Sequence, residues 1–348
     1  MSANPTPTSY YLGVDTGATK THALISDRAG NVKAFVSGGP GNPQSIGGYH
    51  ALERLLSEMT QKACETAGIA IADIRAAGLG LAGYDWPSQK ERFYQLARSA
   101  GLPERTALVN DAGLGIYAGT AEGWGICVAA GTSFNCRGCG PDGREAIAIG
   151  DGIRWGEGAG ALELALKSAQ AVIAQFTMSG PETRLTKLFL NAFGASSLAD
   201  LVEGIVSGKH RVTAALAPRI IEVAQQDDEA ARQAVQWAAE CLANLAKGAI
   251  RQLGLAGQPF EVVLSGSFFK AGEIIITPMK KSVLRLAPYA AFHILELPPV
   301  CGGALLAMEV EGGLTVEERK QVKVNMRRWF KEEGKSTCIS SIHMRHLG

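Results

Sequence analysis

The sequence predicts an α/β protein made of two related domains, each with a mixed β-sheet flanked by helices. Three observations support this prediction. Strand-like and helix-like segments alternate along the 348 residues, as they do in layered α/β folds. The chain opens with three short strands separated only by turns, a meander that adds antiparallel pairs to the sheet. The second half of the chain opens in a similar way, which indicates an internal duplication.

The first half contains five predicted strands and two predicted helices. Apolar runs bounded by turn residues predict strands at residues 10–14, 21–26, 32–36, 76–81 and 107–109. Apolar side chains spaced three and four residues apart predict a helix over residues 49–67. Ser88 and Glu91 form a capping-box pattern, which predicts the start of a second helix that runs to about Ser99.

The second half begins with the same hairpin pattern and then becomes mostly helical. Strands are predicted at residues 126–130 and 134–137, around a Gly-Thr-Ser turn, and later at 260–264 and 291–297. The turn at residues 141–143 repeats the turn at residues 27–30 at nearly the same spacing. Helices are predicted at residues 159–176, 182–193, 212–225, 228–253 and 302–310.

The composition indicates a globular protein without a polyanionic partner. Apolar residues make up 46% of the chain, charged residues make up 19%, and the formal net charge is +1, so we expect no nucleic-acid partner. No apolar run is long enough to cross a membrane. Seven cysteines lie scattered in apolar segments, which is typical of free thiols in a reducing cytoplasm. Residues 317–348 are expected to form a basic tail that starts with an exposed helix.

A turn rich in Gly and Thr follows the first strand, in the segment Asp15-Thr16-Gly17-Ala18-Thr19-Lys20. Such a turn exposes backbone amides and hydroxyls that suit phosphate oxygens, and an acidic residue beside it can hold Mg²⁺ through water. The alternative is an ordinary hairpin turn. The segment lacks the G-x-x-x-x-G-K-[ST] pattern of a Walker A loop. It is also followed by β-rich residues rather than a helix, which argues against a dinucleotide fingerprint.

Two further features are candidates for the same chemistry. The turn Gly131-Thr132-Ser133 occupies the matching place in the second half, and it is either a second phosphate turn or a plain hairpin turn. Asp111 ends a buried strand just before a helix, at the edge where open α/β sheets bind ligands. There it could accept a proton from a substrate hydroxyl in phosphoryl transfer, or it could cap the following helix.

Five motifs in a fixed order carry a resemblance to a known family. They are residues 15–21, Asp111, residues 131–133, residues 265–267 and residues 302–304. From about Tyr10 to Leu314, the chain resembles the N-acetylglucosamine kinase branch of the BadF/BadG/BcrA/BcrD ATPase family, within the actin–hexokinase–Hsp70 superfamily. The resemblance implies two actin-like (ribonuclease H-like) domains, residues 10–118 and 119–316. Each would hold a mixed five-stranded sheet flanked by helices, with the active site in the interdomain cleft.

The resemblance also implies roles for individual residues. Asp111 would be the catalytic base, and Asp15 would hold Mg²⁺ through water. The residues implied in binding ATP and its phosphates are Asp15, Thr16, Gly17, Thr19, Lys20, Gly131, Thr132, Gly266 and Ser267. Those implied in sugar binding are Asn42, Asn135 and Glu157. Before Glu157 this chain has Gly156 where the branch carries an Asp, and Asp151 is a candidate replacement for it.

The implied reaction is transfer of the ATP γ-phosphate to a hydroxyl of an amino sugar, either N-acetylglucosamine (giving the 6-phosphate) or glucosamine. We expect ATP and Mg²⁺ as cofactors and a cytoplasmic homodimer without a membrane partner. Two other functions stay open. An ATPase that activates a radical dehydratase or reductase would use an iron–sulfur cluster, but Cys136 and Cys139 flank a predicted hairpin turn. A non-enzymatic sugar sensor would ordinarily carry a helix-turn-helix, which is not predicted before Tyr10.

Overall fold

The computed structural model describes residues 9–150, 152 and 156–333. Within these residues the chain forms two mixed five-stranded sheets flanked by helices, which confirms the predicted fold class. The described strands are β1 (Tyr10–Thr16), β2 (Thr21–Asp27), β3 (Val32–Gly38), β4 (Ile74–Leu81), β5 (Thr106–Asn110), β6 (Gly125–Ala130), β7 (Phe134–Cys139), β8 (Glu145–Ile147), β9 (Phe260–Ser265) and β10 (Ala290–Ile294).

The α-helices of the described residues lie between and after these strands. They are α1 (Pro43–Ile46), α2 (Tyr49–Ala67), α3 (Lys90–Ser99), α4 (Leu114–Gly119), α5 (Ala161–Phe176), α6 (Leu185–Phe193), α7 (Leu198–Val206), α8 (Ala217–Gln225), α9 (Glu229–Leu253), α10 (Glu273–Leu284), α11 (Pro299–Glu311) and α12 (Val316–Glu332). Short 3₁₀ turns at Asp111–Gly113 and Ser267–Ala271 follow the ends of β5 and β9.

The first sheet has the strand order β3-β2-β1-β4-β5. The predicted meander gives antiparallel pairs between β1, β2 and β3, whereas β4 and β5 run parallel to β1. Alternation along the strands sends every second side chain to one face. The side chains on that face form a hydrophobic core with α2 and α3. The buried residues of this core include Leu12, Ile25, Leu52, Leu56, Leu79 and Phe93.

The helix α11 covers the other face of the first sheet at backbone contact. A Cβ atom built on Gly78 of β4 would lie 2.1 Å from the carbonyl oxygen of Gly303, and one built on Gly13 of β1 would lie 2.4 Å from that of Val300. Only residues without side chains permit such an approach. The Gly-rich start of α11 therefore serves its packing against β1 and β4.

The second sheet has the strand order β10-β9-β6-β7-β8, with β6 and β9 parallel. The long helix α9 packs against α5, α8 and α10, and its buried side chains, such as Val235, Leu242 and Ile250, repeat at helical spacing. Among the described residues, no single helix is long and apolar enough to cross a membrane. Only α6 and α7 taken together reach that length and apolarity, and they meet at a bend of 70°.

The described residues group into two compact units. The first comprises residues 9–125, 137–144 and 293–333, and the second comprises residues 126–136 and 145–292 with the gaps stated above. The domain boundaries at 118/119 and 316/317 stay a prediction. The observed grouping differs from these boundaries because α11 packs on the first sheet and α12 packs on α11 and β3, so both helices belong to the first unit.

The helix α12 is not the exposed terminal helix that its charged composition predicts. Its side chains Val322, Met326 and Phe330 are buried against a cluster that includes Val32 of β3. The guanidinium of Arg319 is also buried, and it pairs with Glu309 of α11. A stripe of apolar residues four positions apart explains this packing, because such residues lie on one face of a helix.

We expect Met326→Ala to lower the free energy of unfolding by about 2–5 kcal/mol, the usual cost of truncating a fully buried Met. The matched control is Val324→Ala on the same helix, since Val324 is 43% exposed and its truncation costs less than about 0.5 kcal/mol. Urea unfolding of both variants measures the difference. Equal stabilities would contradict the packing of α12.

Three helices were not predicted from the sequence, α1, α7 and α10. The segment of α10 contains Pro278 and the β-branched run Ile274-Ile275-Ile276-Thr277, which disfavour a helix on propensity alone. Ile275, Met279 and Val283 nevertheless fall four residues apart and are buried, so packing decides the conformation. The helix α3 begins at Lys90, after a 3₁₀ turn at Pro87–Gln89 whose start is closed by the Gln89 side chain, which accepts from the amides of Asp85 and Trp86.

Candidate active site

The carboxyl ends of β1, β4 and β5 lie at the same edge of the first sheet, because these three strands are parallel. This edge holds two predicted site residues, Asp15 near the end of β1 and Asp111 directly after β5. Asp15 is in register with Gly80 of β4, so the two carboxylates are separated by one intervening strand that carries no side chain there. Two strand spacings correspond to about 10 Å.

The Asp15 carboxylate is half-buried, and it makes no hydrogen bond in the part of the chain that the structure describes. Loss of hydration, together with the negative charge of Asp111, raises the pKa of Asp15 to about 7 against an opposing effect of Lys20. A carboxylate that lacks protein donors is destabilised unless a cation approaches it. Asp15 therefore fits the predicted place beside a magnesium ion.

We expect Asp15→Asn to stabilise the ligand-free protein at neutral pH. In the wild-type protein, the raised pKa means that the folded state retains a proton between about pH 4 and pH 7 that the unfolded state has lost. Stability therefore falls as the pH rises through this range. Asp15→Asn does not lose stability in this way, because an amide does not titrate. Its melting temperature should therefore exceed the wild-type value more at pH 8 than at pH 4.5. A constant difference across this range would contradict the burial of a charged Asp15.

The turn at residues 17–20 is a tight hairpin with exposed amides. The Gly17 amide donates to the Lys20 carbonyl at 2.9 Å, and the Gly41 amide donates to the Gly17 carbonyl at 2.9 Å. Ala18 and Thr19 are exposed, and their amides donate to no described residue. The turn thus presents free backbone donors, the property that the phosphate hypothesis requires.

Thr16 differs from the rest of this turn. Its hydroxyl is buried, donates to the Gly80 carbonyl at 3.3 Å and accepts from the Ala82 amide at 3.0 Å. The hydroxyl therefore links the end of β1 to the end of β4. The role of Thr16 in phosphate binding stays a prediction, and the geometry gives its hydroxyl a structural task instead.

Asn42 lies at the same sheet edge. Its Oδ1 accepts from the Gln44 amide at 3.0 Å and so caps α1. A Cβ built on Gly83, just beyond β4, would lie 3.1 Å from this Oδ1. The Nδ2 group of Asn42 donates to no described residue, which leaves it available to a sugar oxygen.

The geometry around Asp111 separates its two sequence interpretations. The cap of the 3₁₀ turn is Asn110, whose Oδ1 accepts from the Ala112 amide at 3.1 Å. Asp111 is the first residue of that turn, and its Oδ1 also accepts from Ala112, at 2.9 Å. Burial raises the pKa of Asp111 to about 6, and the charge of Asp85 raises it while Arg137 lowers it. Asn110 is therefore the cap residue, although both side chains accept from the same amide, and the role of Asp111 as a base stays a prediction.

Sequence reasoning missed Asp85 and the side chain of Asn110. Asp85 accepts from Asn110 Nδ2 at 3.0 Å and from the buried Arg137 guanidinium at 3.1 Å. The signal in the sequence was an Asp shortly after the Gly-rich strand β4, although Asp111 follows β5 directly and Asp85 does not follow β4 directly. That signal alone could not identify Arg137 as the residue that forms an ion pair with Asp85.

In the second unit, the structure brings together the predicted second phosphate turn, residues 131–133, and the motif at residues 265–267 that is implied in ATP binding. Both follow the carboxyl ends of the adjacent parallel strands β6 and β9, where Ala129 pairs with Ser265. A Cβ on Gly131 would lie 3.8 Å from the Ser267 hydroxyl, and one on Gly266 would lie 2.2 Å from the Ala130 carbonyl oxygen.

The start of α5 holds the second phosphate turn. The Ala161 and Leu162 amides donate to the Gly131 and Thr132 carbonyls at 2.9 and 3.2 Å. These two backbone amides, which have no acceptor within the first turn of α5, are therefore hydrogen-bonded within the protein. Thr132 remains exposed, so its hydroxyl can still reach a ligand.

Two of the predicted sugar residues, Asn135 and Glu157, meet around Gly150. Glu157 accepts from the amides of Ile149 and Gly150 at 3.0 and 2.5 Å. A Cβ on Gly150 would lie 3.2 Å from the Asn135 side chain. Glu157 therefore organises its own loop through both carboxylate oxygens. Asp151 lies outside the described residues.

The cysteine pair lies differently from the prediction. Cys136 and Cys139 both belong to β7 rather than flanking a hairpin turn. Among the described residues, no group of three or more His, Cys, Asp or Glu side chains could hold a metal ion. A magnesium ion at Asp15 would thus depend on phosphate and water oxygens for its other ligands.

Comparison with known proteins places this geometry among related folds. The chain is 27% identical over 259 residues to an N-acetylmuramic acid/N-acetylglucosamine kinase of Clostridium acetobutylicum, covering 74% of this chain and 84% of that protein. A solved structure of a candidate N-acetylglucosamine kinase from Chromobacterium violaceum matches with a TM-score of 0.57 and 20% identity, covering 92% of this chain and 100% of that one. A ROK family glucokinase from Streptomyces griseus, solved with glucose and AMPPNP, matches with a TM-score of 0.54 and 19% identity, covering 86% and 100%. The two structures show the fold.

A family model also matches most of the chain. It is the model of the BadF/BadG/BcrA/BcrD ATPase family, and it matches residues 12–307. This range begins in β1 and ends within α11, so it includes both sheets and each predicted site residue. The chain therefore belongs to the BadF/BadG/BcrA/BcrD ATPase family.

Proposed function

We propose that this protein is an ATP-dependent sugar kinase that transfers the γ-phosphate of ATP to a hydroxyl of an amino sugar. The acceptor we propose is N-acetylglucosamine, giving the 6-phosphate, or glucosamine. The observation that carries the proposal is Asp111, a half-buried carboxylate at the sheet edge where open α/β folds bind ligands, next to Asn110, which is the cap residue of the following turn. Family membership and the relative from Clostridium acetobutylicum support it.

Asp111 would act as the general base. Its carboxylate accepts the proton of the sugar hydroxyl as the sugar oxygen bonds to the γ-phosphorus. The bond from that phosphorus to the β–γ bridging oxygen then breaks, and ADP leaves. Because the pKa of Asp111 is about 6, the carboxylate is ionised at neutral pH while remaining basic enough to take a proton.

The phosphate groups would be held by backbone amides and charges. In the first unit, the exposed amides of Ala18 and Thr19 and the ammonium of Lys20 suit phosphate oxygens. In the second unit, Thr132 and Ser267 supply hydroxyls next to two glycines. Mg²⁺ near Asp15 would neutralise phosphate charge, which is the main requirement of phosphoryl transfer.

The preference for an amino sugar is argued from Asn42 and Asn135. Side-chain amides both donate and accept, which suits sugar hydroxyls and an acetamido group. Glu157 is bonded to backbone amides, so we assign it to shaping the loop that carries Gly150. Gly156 lacks a carboxylate, and this is the reason for including glucosamine as a second acceptor.

We also propose a cytoplasmic homodimer whose partners are ATP and the sugar, without nucleic acid or membrane. The net charge of +1 supports the absence of a nucleic-acid partner, and the scatter of the seven cysteines through apolar segments supports the cytoplasm. Light scattering of the purified protein gives the mass of the assembly. A monomer mass would remove the homodimer from the proposal.

A coupled assay of ADP release over a panel of sugars tests the proposed function. The panel contains N-acetylglucosamine, glucosamine, N-acetylmuramic acid and glucose, each with ATP and Mg²⁺. We expect an amino sugar to give the highest kcat/KM. If no sugar raises ATP turnover above the background rate, the kinase proposal fails.

A further inference from the structure

We propose that Asp85, anchored by Arg137, is a positioning residue that orients Asp111 through the side chain of Asn110. The inference deepens the proposed function, and its catalytic meaning rests on that proposal. The contacts themselves form one continuous chain of hydrogen bonds within the first unit.

The chain begins at Arg137 on β7. Its guanidinium is buried, and it donates to the Asp85 carboxylate at 3.1 Å and to the Asp85 carbonyl at 3.4 Å. Contacts to both the side chain and the backbone of one residue fix the direction in which that residue points. Arg137 therefore holds Asp85, which follows β4, in one orientation.

Asp85 in turn orients Asn110. Its Oδ1, the atom that Arg137 contacts, also accepts from Asn110 Nδ2 at 3.0 Å, and the same Nδ2 donates to the Tyr84 carbonyl at 3.1 Å. With Nδ2 fixed by two acceptors, Oδ1 of Asn110 faces the Ala112 amide at 3.1 Å. This bond sets the 3₁₀ turn from which Asp111 projects.

The last donor in this chain of hydrogen bonds, the Ala112 amide, has two acceptors. The Ala112 amide donates to Asn110 Oδ1 and, at 2.9 Å, to Asp111 Oδ1. The Asp111 carboxylate is therefore tied to the same donor that the network fixes. A shift of Asn110 would move this donor and with it the carboxylate, and small misplacements of a base lower the rate strongly.

The network also carries charge. The described charged groups that act on Asp111 are Asp85, which raises its pKa, Arg137, which lowers it, and Asp15 across β4, whose own pKa is raised by Asp111. The charges of Asp85 and Arg137 thus shift the pKa of Asp111 in opposite directions.

Four variants separate a positioning role from a structural one. Asp85→Asn removes a negative charge near Asp111 and leaves Arg137 uncompensated, so the pKa of Asp111 should fall by about 0.5–1 unit. Arg137→Gln leaves the charge of Asp85 uncompensated, so the pKa should rise by a similar amount. The double variant should return close to the wild-type value. Arg137→Lys keeps the charge and should rescue the pKa, though not the full turnover.

The pKa is measured in the substrate-free protein by NMR titration of aspartate labelled with ¹³C at the carboxyl carbon. The Asp111 signal is the one that disappears in Asp111→Asn. The acidic limb of kcat/KM is then measured with ATP and the best sugar, because this limb reports the free enzyme's base. Glu91→Gln and Arg98→Gln, which alter an exposed ion pair of α3, are the matched controls and should shift neither quantity.

Opposite shifts in Asp85→Asn and Arg137→Gln, with little effect of the controls, are the expected result. Unchanged pKa values, full turnover of Arg137→Lys, or shifts in the same direction accompanied only by a lower melting temperature would overturn the proposal. If Arg137→Gln does not fold, Asp85→Asn and Arg137→Lys decide the question by the same criterion. Since the titration needs no substrate, absence of sugar turnover in the wild-type protein would overturn the proposed function and not this inference.

Discussion

Asp111→Asn is expected to lower turnover by about 10²–10⁴-fold, which corresponds to roughly 3–5 kcal/mol of activation free energy. The amide has the shape of the carboxylate but cannot accept a proton at neutral pH. Phosphoryl transfer also depends on alignment and on neutralising phosphate charge, so some activity should remain. Binding of ATP should change little, because Asp111 is not among the residues assigned to the nucleotide.

Stability distinguishes this prediction from a structural role of Asp111. Asn110 caps the 3₁₀ turn, and an Asn at position 111 can still accept from the Ala112 amide. The melting temperature should therefore stay within a few degrees of the wild-type value. Asp142→Asn, on an exposed turn of the same unit, is the matched control for turnover. A fully active Asp111→Asn protein would show that Asp111 is no base.

Gly78→Ala is expected to destabilise the protein by about 3 kcal/mol or more, at the upper end of the cost of overpacking. The added Cβ would lie 2.1 Å from the carbonyl oxygen of Gly303 and 2.9 Å from the Ala307 amide. These are backbone atoms, so no side chain can move aside. The helix α11 would have to shift away from β1 and β4.

The matched control is Gly248→Ala in the interior of α9, where nothing lies within 4 Å of the added Cβ. Ala in a helix is favoured over Gly by about 0.5–1 kcal/mol, so this variant should be slightly more stable than the wild type. Urea midpoints of both variants test the pair. A Gly78→Ala protein as stable as the wild type would refute the backbone contact between β4 and α11.

The sequence allowed both sheets and the position of Asp111 to be predicted, since hairpin turns and apolar runs are local signals. Asp15 and Asp111 were recognisable because each stands at the end of a buried strand. Thr16 was predicted with the phosphate turn, yet its hydroxyl bonds to β4. No local pattern distinguishes a hydroxyl that faces a neighbouring strand from one that faces a ligand.

The network of Asp85, Asn110 and Arg137 could not be predicted, because Asp85 follows β4 while Asn110 and Arg137 belong to β5 and β7, and the three residues meet only in the folded protein. The packing of α12 was missed for another reason. Its many charged residues dominate the composition, while burial depends on the spacing of Val322, Met326 and Phe330. The helical periodicity of the apolar residues, rather than the net charge of the segment, would have identified this stripe.

The central claim, transfer of phosphate to an amino sugar, is tested most directly by identifying the products. The protein is incubated with ATP, Mg²⁺ and N-acetylglucosamine or glucosamine, and the products are quantified by mass spectrometry and ³¹P NMR. The account predicts a sugar phosphate formed in the same amount as ADP, and almost none with Asp111→Asn. ADP formed together with inorganic phosphate, and without any sugar phosphate, would contradict it.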